Sequence, residues 1–318
     1  MGVSLKNPLS EENKFEKLKE SGDDVLIIGP SGSGKGHLAK RLHSESNARS
    51  GKKFIHVNSA GVSPTIFESE MFGHLKGSFT GAFQDREGYC GKVRDGDLFL
   101  DEIGDLSLEL QAKLLVLIND RTYMPVGSSE TLSFDGRIIA ATNKFLKKEV
   151  TNGNFREDLY YRLNNFVLNA KPLCEQKEII PELVLMFLDN ENSNLTFSNP
   201  ALEYLSRQKW DGNIRQLKNL VRRIVRYSDD NKKAITEDDV ILFVEEEYSY
   251  EAETSESEHS QNVETMLRGN LQDWIMWFVK NALARHRGNI SLTAKKIGVG
   301  RKSLERMLNK NENWAFSL

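Results

Sequence analysis

The feature that most constrains the fold is a short apolar run followed at once by a glycine-rich turn. Val25–Ile28 is aliphatic throughout, and the next eight residues read Gly29-Pro30-Ser31-Gly32-Ser33-Gly34-Lys35-Gly36 before a helical pattern through Leu42. Strand, turn, lysine and helix in this order are typical of a loop whose backbone N–H groups surround phosphates while the lysine reaches the outer ones. A lone glycine-rich turn favours an ordinary loop, but this order predicts that the eight residues bind phosphate groups.

One position of this loop departs from the general pattern. Gly36 stands where the motif places a Ser or Thr hydroxyl on magnesium, so the metal must be held from elsewhere. Leu98–Leu100 is a second buried run and leads into adjacent carboxylates, Asp101 and Glu102. Parallel α/β sheets bind ligands at the carboxyl ends of their strands. We therefore expect Asp101 to hold Mg²⁺ through water and Glu102 to activate the attacking water.

Short β-rich runs alternate with helical stretches over residues 25–170. Further strands are predicted at Phe54–Val57 and Arg137–Ala141, and Leu108–Ile118 has helical periodicity. This alternation predicts a parallel α/β sheet. From Ile179 to Val244 the pattern indicates helices only, with stops at residues 211–213 and 229–231.

The net charge of −3 hides an uneven distribution. Glu245–Glu258 holds seven glutamates and no Lys or Arg, whereas Arg268–Lys310 holds ten Lys/Arg against two acids. This contrast predicts a solvated linker followed by a nucleic-acid-binding module. The expected domains are a short N-terminal segment, an α/β subdomain, a helical subdomain, the acidic linker and the basic module, over residues 1–24, 25–171, 172–244, 245–265 and 266–318.

Composition also bears on location. No apolar run approaches the roughly 18 residues that a spanning helix needs, and no signal-peptide pattern opens the chain. Cys90 and Cys174 lack metal-ligand spacing and suit reduced thiols. We expect a cytoplasmic protein without a membrane partner.

The C-terminal module has the pattern of a helix-turn-helix. Leu271–Ala284 is an apolar-striped helix, Leu292–Ile297 a short one, and Arg301–Leu308 follows a glycine-bounded turn. We expect Leu304 and Leu308 to pack inward. A basic helix is more often a solvated face, but this geometry predicts that four residues face the major groove of double-stranded DNA: Arg301, Lys302, Ser303 and Arg306.

The run Phe67–Ala82, FESEMFGHLKGSFTGA, resembles the signature of sigma-54-dependent transcriptional activators, the bacterial enhancer-binding proteins of the AAA+ superfamily. Their GAFTGA hallmark stands here as GSFTGA, with Ser78 for the first alanine. The resemblance runs nearly unbroken from Val25 to about Arg226 and resumes in about the last fifty residues. It implies an AAA+ parallel-sheet ATPase subdomain, an α-helical lid and a C-terminal Fis-type helix-turn-helix, with ATP as substrate and Mg²⁺ as cofactor.

In that family the GAFTGA loop contacts sigma-54, with Phe79 and Thr80 matching the contact residues. An exposed Phe at the loop tip would offer apolar area worth about 1.5–3 kcal/mol when a partner buries it. A core phenylalanine in an ordinary turn is the alternative. The resemblance assigns the sigma-54 contact to the six residues Gly77, Ser78, Phe79, Thr80, Gly81 and Ala82.

Three further resemblances concern the nucleotide. The strand ending in Thr142 and Asn143 resembles sensor I, whose polar groups face the γ-phosphate. Asn58 matches the asparagine that restrains the catalytic Glu102. The stretch Trp210–Leu217 resembles sensor II and implies that Arg215 lies over the nucleotide. The alternative role for Asn58 and for Asn143 is that of an ordinary turn residue.

Arg156 and Arg162 match the family's arginine fingers, which reach the nucleotide site of the neighbouring subunit. Such a guanidinium can be worth 10³–10⁵ in rate. The alternative is surface pairing with Glu157 and Asp158. The finger role implies a homo-oligomer, a hexamer built from dimers.

The resemblance thus implies an ATP-dependent activator that remodels sigma-54 RNA polymerase from an enhancer-like DNA site. Two alternatives stay open. Gly36 and Asp95 suggest a DNA-bound regulator with impaired ATPase coupling, and a AAA+ remodeller of another target is the third reading. About two dozen residues stand where family members carry a sensory or receiver domain, so we expect regulation by a partner protein, by expression level or by a domain outside this chain.

Overall fold

A computed structural model describes residues 10–61, 63–191, 193–228, 233–244 and 299–309, with residues 279, 283, 290, 293, 294 and 297 singly. Backbone contacts divide the chain into two units, Met1–Phe243 and Val244–Leu318. The predicted acidic linker lies outside the described residues.

The strands of the first unit are short. They are β1 Val25–Ile28, β2 Phe54–Asn58, β3 Gly73–His74, β4 Arg86–Glu87, β5 Asp97–Asp101, β6 Thr122–Tyr123, β7 Leu132–Ser133, β8 Arg137–Thr142, β9 Val167–Asn169, β10 Thr196–Phe197 and β11 Ala234–Ile235. Five of them form a parallel sheet in the order β2-β5-β8-β1-β9. The four predicted strands are confirmed. The edge strand β9 was not predicted, because three residues carry too little periodicity.

The helices lie on both faces of this sheet and in a smaller helical region. They are α1 Glu11–Glu20, α2 Lys35–Ser44, α3 Pro64–Phe72, α4 Tyr89–Val93, α5 Leu108–Asp120, α6 Leu146–Thr151, α7 Glu157–Leu163, α8 Ile180–Asn190, α9 Asn199–Arg207 and α10 Asn213–Tyr227. Side chains alternate along a strand, so Leu26 and Ile138 enter one core while Ile27 and Ile139 enter the other. A parallel sheet buried on both faces requires this apolar continuity.

The N-terminal segment contributes to the core. Ser10 caps α1 by accepting a hydrogen bond from the N–H of Asn13, and Phe15 and Leu18 are buried against the sheet. The Arg41 guanidinium lies 4.6 Å from the centre of the Phe15 ring. Because helix α1 shares a core with β1 and α2, it packs as part of the α/β layer.

The prediction of helices only between residues 179 and 244 is wrong in one detail. β10 pairs in parallel with β11, joining two segments far apart in sequence, and two-residue strands leave no local pattern. The helices themselves are confirmed: α10 buries Leu217, Leu220, Val221 and Ile224 at helical spacing, and residues 237–244 are also helical. The stop at residues 211–213 separates α9 from α10, which begins at Asn213, and the stop at 229–231 lies outside the described residues.

In the second unit the described helix Arg301–Asn309 begins where predicted. Leu304 is fully buried with Val279 and Ala294, as expected for an inward-facing position. Most of Leu271–Ala284, most of Leu292–Ile297 and the side chain of Leu308 lie outside the described residues. Within the described part of the chain, every helix is too short or too polar to cross a bilayer.

Candidate functional site

The glycine-rich loop joins β1 to α2, and Lys35 begins the helix. The Lys35 ammonium donates to the carbonyls of Gly29 (3.1 Å) and Pro30 (3.3 Å) and lies 3.4 Å from Glu102 Oε1, with the side chain only 6% exposed. Gly34 caps the helix with a φ of +91°. The positive end of α2 and a buried ammonium therefore share one concave turn, which is suited to an anion.

The acid pair lies at the carboxyl end of β5. Asp101 ends the strand, and Glu102 follows with a φ of +54°, an uncommon conformation for a non-glycine residue that clusters at functional sites. Asp101 Oδ1 accepts from the Glu102 N–H (3.0 Å). Glu102 Oε2 accepts from the backbone N–H of Asn143 at the end of β8 (3.2 Å). The structure thus brings Lys35, Glu102 and Asn143 together at one edge of the sheet.

Two predicted polar side chains make other contacts. Asn58 is the register partner of Asp101, yet its Oδ1 accepts from the Ala60 N–H (2.9 Å), and no hydrogen bond among the described residues joins it to Glu102. The fully buried Thr142 accepts from the Lys144 N–H (3.0 Å) through its hydroxyl. The strand end that resembles sensor I therefore reaches Glu102 through the backbone N–H of Asn143.

The start of α10 lies directly on the glycine-rich loop Gly29–Gly36, the predicted phosphate loop. Arg215 Nη1 donates to Ser31 Oγ (3.0 Å), and the N–H of Ile214 donates to the carbonyl of Gly32 (3.0 Å). Asn213, which the sequence analysis did not single out, donates to the Ser31 carbonyl (3.0 Å) and accepts from the Leu173 N–H (2.9 Å). Its position in the Asp-Gly-Asn stop was the available signal. The lid thus contacts the loop through several atoms at once.

Arg156 precedes α7 and pairs with Asp158 through two hydrogen bonds, Nε–Oδ1 at 3.0 Å and Nη2–Oδ2 at 2.6 Å. These bonds hold the pKa of Asp158 below its usual range. Arg162 is exposed in the last turn of α7. Burial raises the pKa of the Asp24 carboxyl above its usual range, although the positive charge of Arg162 acts to lower it. Within the described chain, neither arginine bonds to the phosphate loop.

The GSFTGA loop is a compact turn. The Gly77 N–H donates to the Ala82 carbonyl (2.8 Å), and the Ala82 N–H donates to the Phe79 carbonyl (3.0 Å). The expectation of an exposed Phe79 is wrong: the ring is half-buried, edge-on to His74 at 5.0 Å, which Ser69 holds by a hydrogen bond. Phe83, just after the loop, is the phenylalanine left 85% exposed.

Ser78 packs against the segment between β6 and β7. A Cβ on Gly127 would lie 2.6 Å from that of Ser78, and the buried Ser78 hydroxyl has no hydrogen-bond partner among the described residues. In the second unit, the four predicted DNA-facing side chains, Arg301, Lys302, Ser303 and Arg306, are exposed.

Residues 6–169 match the model of the sigma-54 interaction domain. The chain belongs to this family. Residues 174–257 match the AAA+ ATPase lid domain, and residues 279–310 match the Fis family of bacterial regulatory proteins. The predicted fold class is confirmed: a AAA+ parallel-sheet domain, a lid and a Fis-type helix-turn-helix. The predicted domain boundaries stay predictions.

Sequence comparison with known proteins also finds bacterial regulatory proteins. The chain is 38% identical over 303 residues to the transcriptional regulatory protein ZraR of Klebsiella oxytoca, covering 94% of this chain and 66% of the relative. It is 39% identical over 234 residues to a Nif-specific regulatory protein of Azotobacter vinelandii, covering 72% and 44%. The chain thus spans less than two thirds of these relatives. The crystal structure of NtrX from Brucella abortus in complex with ATP superposes with a TM-score of 0.63 at 27% identity, over 98% of this chain and 68% of that one.

Proposed function

We propose that this chain acts in the cytoplasm as an ATP-hydrolysing activator of sigma-54 RNA polymerase, bound to an enhancer-like DNA site. The main support is the cluster at the sheet edge, where Glu102 lies between the Lys35 ammonium and the Asn143 N–H. The match to the sigma-54 interaction domain and the similarity to an ATP-bound NtrX add to it.

The loop from Gly29 to Gly36 binds the phosphates of ATP through its backbone N–H groups, and Lys35 exchanges its carbonyl contacts for phosphate oxygens. Glu102 accepts a proton from the attacking water, since its carboxylate lies beside the lysine and is oriented by Asn143. Thr142 supports this strand end, and Asn58 acts as the restraint on Glu102 once its bond to Ala60 is exchanged. Arg215 covers the nucleotide from the lid.

The donors near the loop suit magnesium. Asp101 supplies a carboxylate beside the loop, and Mg²⁺ commonly binds through one or two carboxylates, waters and substrate phosphates. The buried Ser33 hydroxyl, in the loop itself, has no partner among the described residues. When bound, the ion neutralises charge on the transferring phosphate. Asp101 would hold it through water.

Arg156 and Arg162 complete the site of a neighbouring subunit in a hexamer built from dimers. Arg156 would have to leave Asp158, and an exposed ion pair in water is held only weakly. GSFTGA loop residues Phe79 and Thr80 contact sigma-54, with Phe79 leaving His74. The helix Arg301–Asn309 enters the major groove of double-stranded DNA.

The decisive measurement is the ATPase rate per subunit against protein concentration, for the parent chain and for Lys35→Ala. We expect the rate to rise steeply with concentration, because the site needs a neighbour, and to vanish in the variant. A flat, near-zero rate at every concentration, with DNA binding intact, would contradict the proposal.

A DNA-binding regulator with impaired ATPase coupling is the second candidate, and Gly36 is the observation that favours it. A Cβ at Gly36 would make an ordinary contact, 3.6 Å from a ring carbon of Phe99, so a hydroxyl can be restored without a clash. Under this reading Gly36→Ser turns an inactive parent into a magnesium-dependent ATPase. A parent chain that hydrolyses ATP as fast as an active Gly36→Ser variant would exclude this reading. Binding to purified sigma-54 with an ATP transition-state analogue separates both readings from a remodeller of another target.

A further inference from the structure

A buried glutamine joins the segment after Glu102 to the segment that carries Arg156. Gln111 lies on α5 and is fully buried. Its Nε2 donates to the carbonyls of Leu106 (2.8 Å) and Asn154 (3.0 Å), and its Oε1 accepts from the Arg156 N–H (2.8 Å). One carboxamide therefore holds three backbone points in two loops.

Each of these loops leads to a predicted catalytic residue. Leu106 closes the 3₁₀ turn Ile103–Asp105, whose first hydrogen bond runs from the Asp105 N–H to the Glu102 carbonyl (2.9 Å). On the other side, Arg156 is the N-cap of α7, where no helical carbonyl is available for its N–H. Gln111 supplies that acceptor.

The chemistry of the contact calls for a primary amide. An amide offers two N–H donors and a carbonyl acceptor on one planar group, and all three groups are used here. A carboxylate of the same shape keeps the acceptor but has no donor for the two carbonyls. A methionine of similar length keeps neither.

We infer that Gln111 is a positioning residue that sets where Arg156 stands relative to Glu102 of the same chain, and so directs Arg156 at the nucleotide of the neighbouring subunit. The inference rests on the proposed role of Arg156 in a ring. Gln111 acts on the backbone of Arg156, whereas Asp158 holds its guanidinium. Loss of Gln111 therefore impairs the neighbour's site. In its own chain Lys35 and the phosphate loop are unchanged, and the turn after Glu102 keeps its own hydrogen bonds, from Asp105 N–H to the Glu102 carbonyl and from Leu106 N–H to the Ile103 carbonyl.

The test uses mixed rings of full-length chains. A misplacement of about 1 Å can cost on the order of 10²-fold in rate, so we expect Gln111→Met alone to lower kcat by about that factor. Binding of a fluorescent ATP analogue should stay within about twofold of the parent. Mixing Gln111→Met with Lys35→Ala should restore ATPase activity, because the Lys35→Ala subunit supplies a well-placed Arg156 to an intact site.

Two further mixtures make the result specific. Gln111→Met mixed with Arg156→Ala should stay inactive, because neither subunit presents a competent arginine. Arg156→Ala mixed with Lys35→Ala is the positive control and should regain activity. The reverse pattern, rescue by Arg156→Ala and none by Lys35→Ala, would place the defect of Gln111→Met in its own site and overturn the inference.

The control mixture separates the two proposals. If it regains no activity, Arg156 does not act on a neighbour, and both the proposed role of Arg156 in the ring and this inference fail. If it regains activity while Gln111→Met with Lys35→Ala does not, the role of Gln111 alone fails.

If Gln111→Met does not fold stably, Gln111→Glu is a second variant that keeps the side-chain shape. It should show the same rescue pattern. In the unaltered chain, hydrogen exchange of the Arg156 amide should be slow, since the proton is donated to a buried acceptor. Rapid exchange at Arg156 would contradict the inference without any substitution.

Discussion

Ser78 buries its hydroxyl against the segment that holds Gly127, where the described residues offer it no hydrogen-bond partner. A buried, unpaired hydroxyl carries a desolvation cost of about 1–3 kcal/mol. We therefore expect Ser78→Ala to raise the free energy of unfolding by about 1 kcal/mol, measured by denaturant unfolding. Ser129→Ala removes an exposed hydroxyl nearby and should change little. A clear loss of stability in Ser78→Ala would show that the hydroxyl is paired.

The two cysteines differ in their surroundings. Cys90 is buried, and burial raises the pKa of its thiol well above the usual range, whereas Cys174 is exposed. Thiolates are the reactive form, so Cys174 should react with a thiol reagent within minutes and Cys90 only after unfolding. Titration should count one thiol in the native chain and two in denaturant. Native Cys174→Ser should show none, and rapid labelling of that variant would contradict the burial of Cys90.

At the scale of elements, the contact between α10 and the phosphate loop depends on a close backbone approach. Gly32 has a φ of +74°, and a Cβ there would come within 2.3 Å of the Gly212 carbonyl. Gly61 has a φ of +73° with open space around it, so it is a matched control.

Gly61→Ala should lower the free energy of unfolding only by the cost of placing alanine in a left-handed backbone conformation, about 1–2 kcal/mol. Gly32→Ala should lower the free energy of unfolding by about 1–3 kcal/mol more, because the lid must move away from the loop. Thermal unfolding of both variants gives the stability difference, and binding of an ATP analogue should weaken for Gly32→Ala alone. Equal effects of the two substitutions would mean that the lid contact is not tight.

At the scale of the whole molecule, a buried charge cluster joins the layers at the amino end of the sheet. Asp97 accepts from His43 (2.9 Å), from Arg49 (2.8 Å) and from Arg137 (2.7 and 3.0 Å). Arg137, itself fully buried, also donates to the carbonyls of three residues on or just after α1 and α2: Leu18, Ser21 and Leu42. The cluster thus ties α1 and α2 to β5 and β8.

Asp97→Asn leaves Arg137 buried without its counter-charge, and breaking a buried pair costs about 3–5 kcal/mol. Asp95→Asn removes the same charge two residues earlier, where the carboxylate is exposed and pairs with Lys52 in solvent. We expect a large loss of stability for the first variant and a change close to experimental error for the second, both by denaturant unfolding. Comparable effects would show that the cluster does not stabilise the fold.

The sequence by itself determined the family and the fold class of this protein, because its informative residues stand in contiguous strings. The order of strand, glycine-rich turn and lysine predicted the loop, the apolar run before Asp101 and Glu102 predicted the acid pair, and the run around GSFTGA indicated the family. The continuous burial along β1, β5 and β8 follows from the same apolar runs, so the parallel sheet was also predictable.

Only the tertiary structure decided which atoms meet. Asn143 reaches Glu102 through its backbone, and Gln111 joins two loops. The pairing of β10 with β11 belongs to the same class. These contacts depend on how elements distant in sequence pack and on which rotamers that packing admits. Local periodicity encodes on which face of its helix or strand a residue lies. The residue that it contacts on that face is decided by the tertiary fold.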